Sequence, residues 1–577
     1  MTTTSDILKP AIVADYQKLR ETFKSESYYA IQIIIRRLDV ISLFFWNSKH
    51  LNEEQINESR EFFNFGWAPL IKLFFNTHAF DRPHQFIQTR EYDYSWADSV
   101  ILQSGRLAFC KQLLDYEKGS LLKFILVKEN EFEIEYTNEK IGHAYFERKS
   151  VDFYRDEIVE RIIKDKKTKN TLSADEIKAK LQEVIKNPYG KFISYNTTEE
   201  IDEYYYEKGH HHVLRIQGYE DFDTKDKFGS IEYWKYVDLI EILCGVAIMH
   251  TEACIELAKM NSQVDMHNIL TYMYFKDSTV KIYANYIGVS ESEIDQILSC
   301  VTLHKDNFKH HLEIPAPAPP MYFQVSENQL IRSVAGCLGN PFRFLNIELK
   351  RKYKRDYDIA VNNRESRFRR DLFLFFPHER IIKIPREINI SFRGMRTDID
   401  AVAFDTETKT LGIFQLKWQD PFAHSMKERY SRISNLFPKA NEWIEKMKFW
   451  LSSTDSKTIL NSLQISKNYP KETEINEICV FIIGRNDVHF TGVELDNRVA
   501  WGSWHQIIES QARVETKFDD PIKEMFVKLK SFTPDHRADR EEMPERQDFD
   551  VTIGSYKVFY KNKNETTESE IQQKPSP

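Results

Sequence analysis

Glycine and proline are scarce in this chain, with 18 glycines and 19 prolines among 577 residues, about half the usual share. This shortage excludes collagen-like and low-complexity architectures, and it favours long helices over turn-rich β folds. None of the glycines falls in a GxxxxGK[ST] or GxGxxG pattern, and GxSxG and HExxH are also absent. Chemistry driven by ATP or by dinucleotides is therefore not expected.

Cysteine and long apolar runs are equally scarce. Six cysteines are too few for a disulfide scaffold in a chain of this length, and the absence of a CxxC pair argues against a zinc ribbon. The N-terminus lacks a basic region followed by an apolar core, so no signal peptide is predicted. Residues 31–46 are apolar but interrupted by Arg36, Arg37 and Asp39, too short for the roughly 20 residues of a membrane span. We expect a cytoplasmic protein without a membrane partner.

The periodicity of the chain predicts an α+β multidomain protein. The N-terminal half is largely helical with a small β element, and the C-terminal domain is α/β, with a central mixed sheet flanked by helices. Four prolines within IPAPAPP are typical of a semi-rigid spacer. The predicted ranges are a sensing or interaction region at 1–313, open to division near 205, a linker at 314–320, an α/β domain at 321–533 and a partly disordered polar extension at 534–577.

Residues 280–299 resemble a helix-turn-helix in the N-terminal half. Gly288 would form the turn and Ser290 would cap a second helix that begins at Glu291. This second helix is acidic, which suits phosphate poorly. Packing of the two helices is therefore favoured over DNA reading.

The segment TDIDAVAFDTETKTLGIFQLKWQ, residues 397–419, contains the polar residues that point to chemistry. Two alternating apolar runs flank the polar stretch DTETKT, a pattern that predicts an antiparallel hairpin. With the turn at 405–410, Phe404 pairs with Leu411. The same register places Asp400 opposite Gln415 and Asp398 opposite Lys417, with all four polar side chains on one face.

Carboxylates and an amine on a strand that is otherwise apolar are costly unless they pair with each other or bind an ion. One interpretation is a structural ion pair between Asp398 and Lys417. The other is a metal site at Asp400. Spacing alone leaves both open.

An aspartate that ends one strand, followed by Gln-Leu-Lys in the next, resembles the PD-(D/E)xK nuclease superfamily, in particular its Mrr-like branch. The resemblance implies a restriction-endonuclease-like fold over about 365–505, with Mg²⁺ (or Mn²⁺) bound by Asp400 and Gln415. It also implies that Lys417 assists the attacking water and the phosphate, and that Glu365, on the helix before the strands, adds a fourth catalytic residue. Gln415 departs from the carboxylate of the family motif.

The charge distribution favours a nucleic-acid partner near this segment. Residues 345–440 contain 20 basic and 13 acidic residues, whereas the whole chain has a net charge of −8. A local excess of positive charge suits phosphate binding, although such runs are also common on solvated surfaces. The residues predicted to contact nucleic acid, expected to be double-stranded DNA, are Lys350, Arg351, Lys352, Lys354, Arg355, Arg367 and Arg370.

The resemblance therefore implies a Mg²⁺-dependent endonuclease that hydrolyses phosphodiester bonds, acts on DNA and serves in prokaryotic defence. The alternative is a nuclease fold that has lost activity and serves as a nucleic-acid-binding or scaffold component, an interpretation motivated by Gln415. The N-terminal half would contact a protein partner or a second copy of the chain.

Overall fold

The computed structural model describes residues 4–25, 27–44, 53–137, 159–163, 172–216, 221–314, 317–419, 426–469, 471, 474–490, 493–512, 519–532 and 548–561. These residues form a mixture of helices and strands with more helix than strand. The predicted mixed α and β character is therefore confirmed.

The helices combine long amphipathic segments with short connecting turns. In chain order they are α1 (Thr4–Ser25), α2 (Ser27–Phe44), α3 (Glu53–Thr77), α4 (Glu91–Lys118), α5 (Ala174–Val184), α6 (Glu199–Ile216), α7 (Tyr233–Met260), α8 (Met266–Leu270), α9 (Lys276–Ile287), α10 (Glu291–Cys300), α11 (Phe308–Leu312), α12 (Val334–Leu338), α13 (Pro341–Lys352), α14 (Lys354–Phe373), α15 (Met426–Ser452), α16 (Ser456–Ser462), α17 (Ile465–Asn468), α18 (Trp504–Ala512) and α19 (Pro521–Ser531), with a 3₁₀ turn at Pro188–Gly190.

The strands are short, as is common in mixed folds. They are β1 (Leu122–Lys128), β2 (Glu131–Tyr136), β3 (Lys227–Phe228), β4 (Ile231–Glu232), β5 (Tyr272–Phe275), β6 (Thr302–Leu303), β7 (Tyr322–Ser326), β8 (Gln329–Arg332), β9 (Ile381–Ile384), β10 (Ile388–Phe392), β11 (Met395–Ile399), β12 (Ala401–Asp405), β13 (Thr410–Lys417), β14 (Glu477–Gly484), β15 (Ala500–Ser503), β16 (Phe549–Ile553) and β17 (Tyr556–Tyr560).

The chain divides into two compact units. Unit 1 consists of Met1–Asn138, Lys167–Asp358 and Glu545–Pro577, and unit 2 of Glu139–Lys166 and Ile359–Pro544. The proline-rich segment 314–320, predicted to separate the two halves, falls inside unit 1, because β7 and β8 after it pair with β6 and β5 before it. Residues 315–316 lie outside the described ones.

The described residues of unit 1 contain helices around two four-stranded sheets, ordered β1-β2-β17-β16 and β5-β8-β7-β6, and a two-stranded sheet of β3 and β4. The polar extension predicted after residue 533 contributes the hairpin of β16 and β17 to the first of these sheets. The helix-turn-helix geometry is confirmed: Gly288, with φ 77°, ends α9, and the Ser290 side chain accepts a hydrogen bond from the Glu293 amide at the start of α10.

The five-stranded sheet of unit 2 is ordered β15-β14-β13-β12-β9. Strand β13 is antiparallel to β12 and parallel to β14, so the sheet is mixed. Phe404 pairs with Leu411 and Ala401 with Phe414, which confirms the predicted hairpin register. The apolar run EICVFIIG, residues 477–484, predicts a short buried strand, and this strand is present as β14.

Both faces of this sheet are covered by apolar side chains, as parallel strands require. On one face, Val402 and Ile413 pack in a core cluster with Ile444 of α15. On the other face, Ala403 and Phe414 pack with residues of α14, α18 and α19. Proline inside a helix predicts a kink or a break, and helix α15 runs continuously through Pro438.

The segment before the hairpin differs from the prediction. The sequence of residues 379–392 predicts one strand, but β9 and β10 are separated at Pro385 and belong to different sheets, because proline has no N–H to donate to a ladder. Strand β10 instead forms a second hairpin with β11. Its two-residue turn consists of Arg393 and Gly394, both with positive φ, the geometry that favours tight hairpins.

No helix in the described part of the chain combines the length and apolar character needed to cross a bilayer. All six cysteines are buried and unpaired, as predicted from their spacing.

Candidate metal and active site

Asp400 lies at the point where the chain leaves the β10–β11 hairpin and enters the central sheet. The residue is 2% exposed, and its amide donates to the Phe414 carbonyl at 3.1 Å. One carboxylate oxygen, Oδ2, accepts hydrogen bonds from the Leu416 amide at 2.7 Å and from Gln415 Nε2 at 2.5 Å. The predicted juxtaposition of Asp400 and Gln415 is therefore present.

The predicted pairing of Asp398 with Lys417 is wrong. The chain bends at Asp400, so Asp398 belongs to β11 and pairs with Asn389 of β10. Within the described residues, no ion pair joins Asp398 to Lys417. The interpretation of these two residues as a structural ion pair therefore finds no support in the geometry.

Gln415 contributes an amide whose two ends differ. Its nitrogen donates to Asp400, whereas its oxygen, Oε1, is buried and accepts no hydrogen bond from the described residues. The side chain is 2% exposed. A buried acceptor without a donor costs about 1–3 kcal/mol, so this oxygen is suited to a cation.

Three carboxylates come together at this place. One oxygen each of Glu365, Glu387 and Asp400 lies within 4.8 Å of the other two. Glu365, which was predicted, projects from α14 and is exposed. Three carboxylate oxygens and an amide oxygen are hard ligands of the kind that bind Mg²⁺ or Mn²⁺.

Glu387 was missed by the sequence analysis, although a signal was present. The dipeptide Arg393-Gly394 between two alternating runs predicts a tight hairpin. Its register pairs Ile388 with Ile399, and one step further the same register brings Glu387 beside Asp400.

The electrostatics of the cluster depend on burial. Burial raises the pKa of Asp400 from 3.8 to about 7. The positive charge of Lys417 and the hydrogen bond from the Leu416 amide oppose this rise in pKa, whereas Asp398 and Glu365 add to it. The charge of Lys417 therefore acts on the Asp400 carboxylate, although the two side chains form no direct ion pair within the described residues.

Two arginines hold the backbone around the site. The Arg369 guanidinium, buried on α14, donates to the Asp400 carbonyl. The Arg485 amide donates to the Lys417 carbonyl at 2.9 Å, and the Arg485 guanidinium lies 4.9 Å from the Trp418 ring centroid. These contacts fix the strand ends from which Asp400 and Lys417 project.

The basic residues predicted to bind nucleic acid are divided between the units. Lys350, Arg351, Lys352, Lys354 and Arg355 belong to unit 1, and Arg367 and Arg370 to unit 2.

Several of these charges have protein partners. Arg351 pairs with Glu348 at 2.6 Å and Lys354 with Asp358 at 2.8 Å. Lys350, Lys352, Lys354, Arg355 and Arg370 are exposed. The structure thus leaves most of the predicted basic side chains accessible.

Within the described part of the chain, Glu365, Glu387 and Asp400 form the only group of three or more histidine, cysteine or carboxylate side chains close enough to share a metal ion. In unit 1, His250 and Cys254 of α7 are core residues, since both are buried and contact the Ile269 carbonyl.

Comparison with protein-family models, with curated proteins and with solved structures gave no significant match to this chain.

We predict that Asp400 makes the stability of the metal-free protein depend on pH. Since its pKa is higher in the folded than in the unfolded state, its contribution favours the folded state less as pH rises from 3.8 to about 7. Asp400→Asn cannot ionise. Calorimetry with EDTA should therefore find that the variant gains unfolding free energy over the wild type, by on the order of 2 kcal/mol, between about pH 5 and about pH 8.

Glu379→Gln, which removes an exposed carboxylate of unit 2 just before β9, is the control and should show no such gain. A difference between Asp400→Asn and wild type that stays constant with pH would contradict the prediction.

Proposed function

We propose that this protein is a metal-dependent endonuclease that hydrolyses phosphodiester bonds in DNA, with its active site at Asp400 in unit 2. The observation that supports the proposal best is the combination of three adjacent carboxylates with the unpaired buried oxygen of Gln415. An acidic cluster alone is common on protein surfaces, whereas a buried oxygen that accepts no hydrogen bond within the described residues gives this cluster a further ligand for a cation.

The residues present fit a magnesium or manganese ion. Asp400, Glu365 and Glu387 would hold it through carboxylate oxygens, and Gln415 through Oε1. Glu387 supplies the negative charge that the family motif would take from a glutamate at position 415. A bound divalent cation polarises a phosphoryl oxygen and lowers the pKa of water, which is the chemistry that phosphodiester hydrolysis needs.

The protein's own side chains position the reactants. The Leu416 amide holds the Asp400 carboxylate, and the Arg369 guanidinium holds the carbonyl of the same residue. Lys417 is half-buried at the end of β13, where its charge already acts on Asp400. In a substrate complex the same ammonium would stabilise the negative charge that develops on the phosphate.

The arrangement of unit 2 agrees with the resemblance to PD-(D/E)xK nucleases. A helix with Glu365 precedes the strands, and Asp400 and the Gln-Leu-Lys sequence lie on adjacent strands of a mixed sheet covered on both faces. The basic excess of residues 345–440 supports a polyanionic substrate.

Lys417→Ala should lower the rate of Mg²⁺-dependent plasmid cleavage by about 10²–10³, the usual cost of losing a group that stabilises a transition state. Asp400→Ala and EDTA should each abolish cleavage. Lys383→Ala, which removes a half-buried lysine from β9, serves as control and should cleave like the wild type.

Equal nicking by wild type and Lys417→Ala would refute the assignment. Salt-sensitive DNA binding without metal-dependent cleavage would favour instead the inactive scaffold that the sequence left open.

Gln415→Glu replaces the amide nitrogen that donates to Asp400 with a carboxylate oxygen. Gln415 Nε2 lies 2.5 Å from Asp400 Oδ2, so the variant would place two buried carboxylates side by side. We therefore expect a lower melting temperature than wild type in EDTA, because like charges repel, and a larger increase on adding Mg²⁺. Thermal unfolding with and without Mg²⁺ measures both effects.

Gln419→Glu makes the same change just beyond the end of β13, where the side chain is half-buried, and should leave the Mg²⁺ effect at the wild-type value. An unchanged Mg²⁺ effect in Gln415→Glu would show that this position does not face a cation.

A further inference from the structure

Unit 1 contains a fully buried arginine whose charge has no acceptor. Arg332, the last residue of β8, is 0% exposed. Its Nε, Nη1 and Nη2 atoms are all buried and make no hydrogen bond within the described residues, and no carboxylate in that part of the chain forms an ion pair with it. A buried guanidinium without a counter-charge is strongly unfavourable.

Another fully buried arginine of unit 1 illustrates how this fold treats a structural guanidinium. Nη1 of Arg36 donates to the Ile87 carbonyl at 2.7 Å and to Asn268 Oδ1 at 3.0 Å, and it also contacts the Thr89 hydroxyl. The protein thus supplies oxygen acceptors for Nη1 from three different positions, while Nε and Nη2 of Arg36 make no hydrogen bond within the described residues. Arg332 has none of these.

Tyrosines surround Arg332 on both neighbouring strands. Tyr272 of β5 and Tyr322 of β7 pair directly with it, and its guanidinium carbon lies 5.2 Å from the ring centroid of Tyr274. A cation over a ring is stabilised by the face of that ring, but this contact satisfies none of the N–H groups.

The buried carboxylate of Asp39 accepts hydrogen bonds from Ser333, Ala335 and Thr271 and, in the described part of the chain, forms no ion pair with Arg332. The side chains that interact most strongly with its charge are those of Tyr274, Tyr322, Cys337 and Tyr195. Burial raises the pKa of the Cys337 thiol to about 12 and raises the pKa values of the tyrosines above their ordinary value. All four are therefore neutral.

A nearby histidine is neutral as well. Burial lowers the pKa of His250 to about 3. Its Nε2 lies 2.9 Å from the Ile269 carbonyl and must donate to it, so Nδ1 accepts from the Tyr195 hydroxyl at 2.7 Å. His250 thus orients Tyr195 without adding positive or negative charge.

We propose that Arg332 anchors a binding site for a phosphoryl group in the interior of unit 1. A guanidinium presents a planar set of N–H groups that binds phosphate through two parallel hydrogen bonds. The hydroxyls of Tyr274 and Tyr322 supply further donors, and a tetrahedral phosphate has more acceptor oxygens for such a set than a carboxylate. The phosphoryl group belongs either to inorganic phosphate or to a nucleotide. This site is separate from the proposed nuclease site in unit 2.

Titration calorimetry on the full-length protein in EDTA, with sodium phosphate and separately with AMP, tests the proposal. We expect one site per chain in the wild type and a loss of affinity of at least about tenfold in Arg332→Met, equivalent to about 1.4 kcal/mol. Arg82→Met removes an exposed arginine of unit 1 and should bind like the wild type.

Tighter binding of AMP than of phosphate would identify a nucleotide as the source of the phosphoryl group, and tighter binding of phosphate would identify the free ion. Either result supports the site. No binding of either probe to the wild type, or equal binding by wild type and Arg332→Met, would overturn the proposal.

A second variant covers the case in which Arg332→Met fails to fold. Tyr322→Phe removes one hydroxyl and keeps the ring, so we expect intact far-ultraviolet circular dichroism and several-fold weaker phosphate binding. Unchanged binding by a folded Tyr322→Phe would overturn the assigned site. So would tyrosinate absorbance in the wild type at neutral pH, because an ionised tyrosine would then neutralise Arg332.

Discussion

The buried carboxylate of Asp400 is the constraint on which the candidate site of unit 2 depends. The carboxylate is buried among apolar strands, so hydrogen bonds or opposite charges must offset the cost of removing it from water. The protein supplies the Leu416 amide and the Gln415 amide nitrogen on the carboxylate, and the Arg369 guanidinium on the carbonyl of the same residue. These contacts also set the bend that separates β11 from β12.

The protein's own groups offset only part of the negative charge around Asp400. Glu365 and Glu387 bring further negative charge to Asp400, whereas Lys417 is the cation whose charge most stabilises the Asp400 carboxylate. The Gln415 oxygen remains without a donor. The same features that cost folding free energy make a site for a divalent cation, which is how functional sites commonly differ from the rest of a fold.

The local pattern of the sequence predicted much of this site, because a short hairpin is determined by its turn and its alternation. The pairing of Phe404 with Leu411 and the contact of Asp400 with Gln415 followed from residues 397–419 alone. The bend at Asp400 did not, since Asp398 continues the same alternation and nothing local marks the break. Glu387 could have been found from the Arg393-Gly394 turn.

Long-range pairing was beyond local patterns. The proline-rich segment has the composition of a linker, yet the strands after it complete a sheet of unit 1. The C-terminal hairpin similarly pairs with β2, far away in sequence. Arg332 looks in sequence like an ordinary strand end, and only its tertiary surroundings reveal the unpaired charge. Such features depend on which distant residues meet, which single-sequence periodicity does not specify.

The most direct test of the central claim is the anomalous diffraction of a crystal of the full-length protein grown with Mn²⁺. We expect one ion bound by the carboxylates of Asp400, Glu365 and Glu387 and by Gln415 Oε1, at about 2.0–2.2 Å. Loss of the ion in crystals of Asp400→Asn would agree with this. A wild-type crystal in which Mn²⁺ binds elsewhere, while these side chains keep the same contacts without an ion, would contradict it.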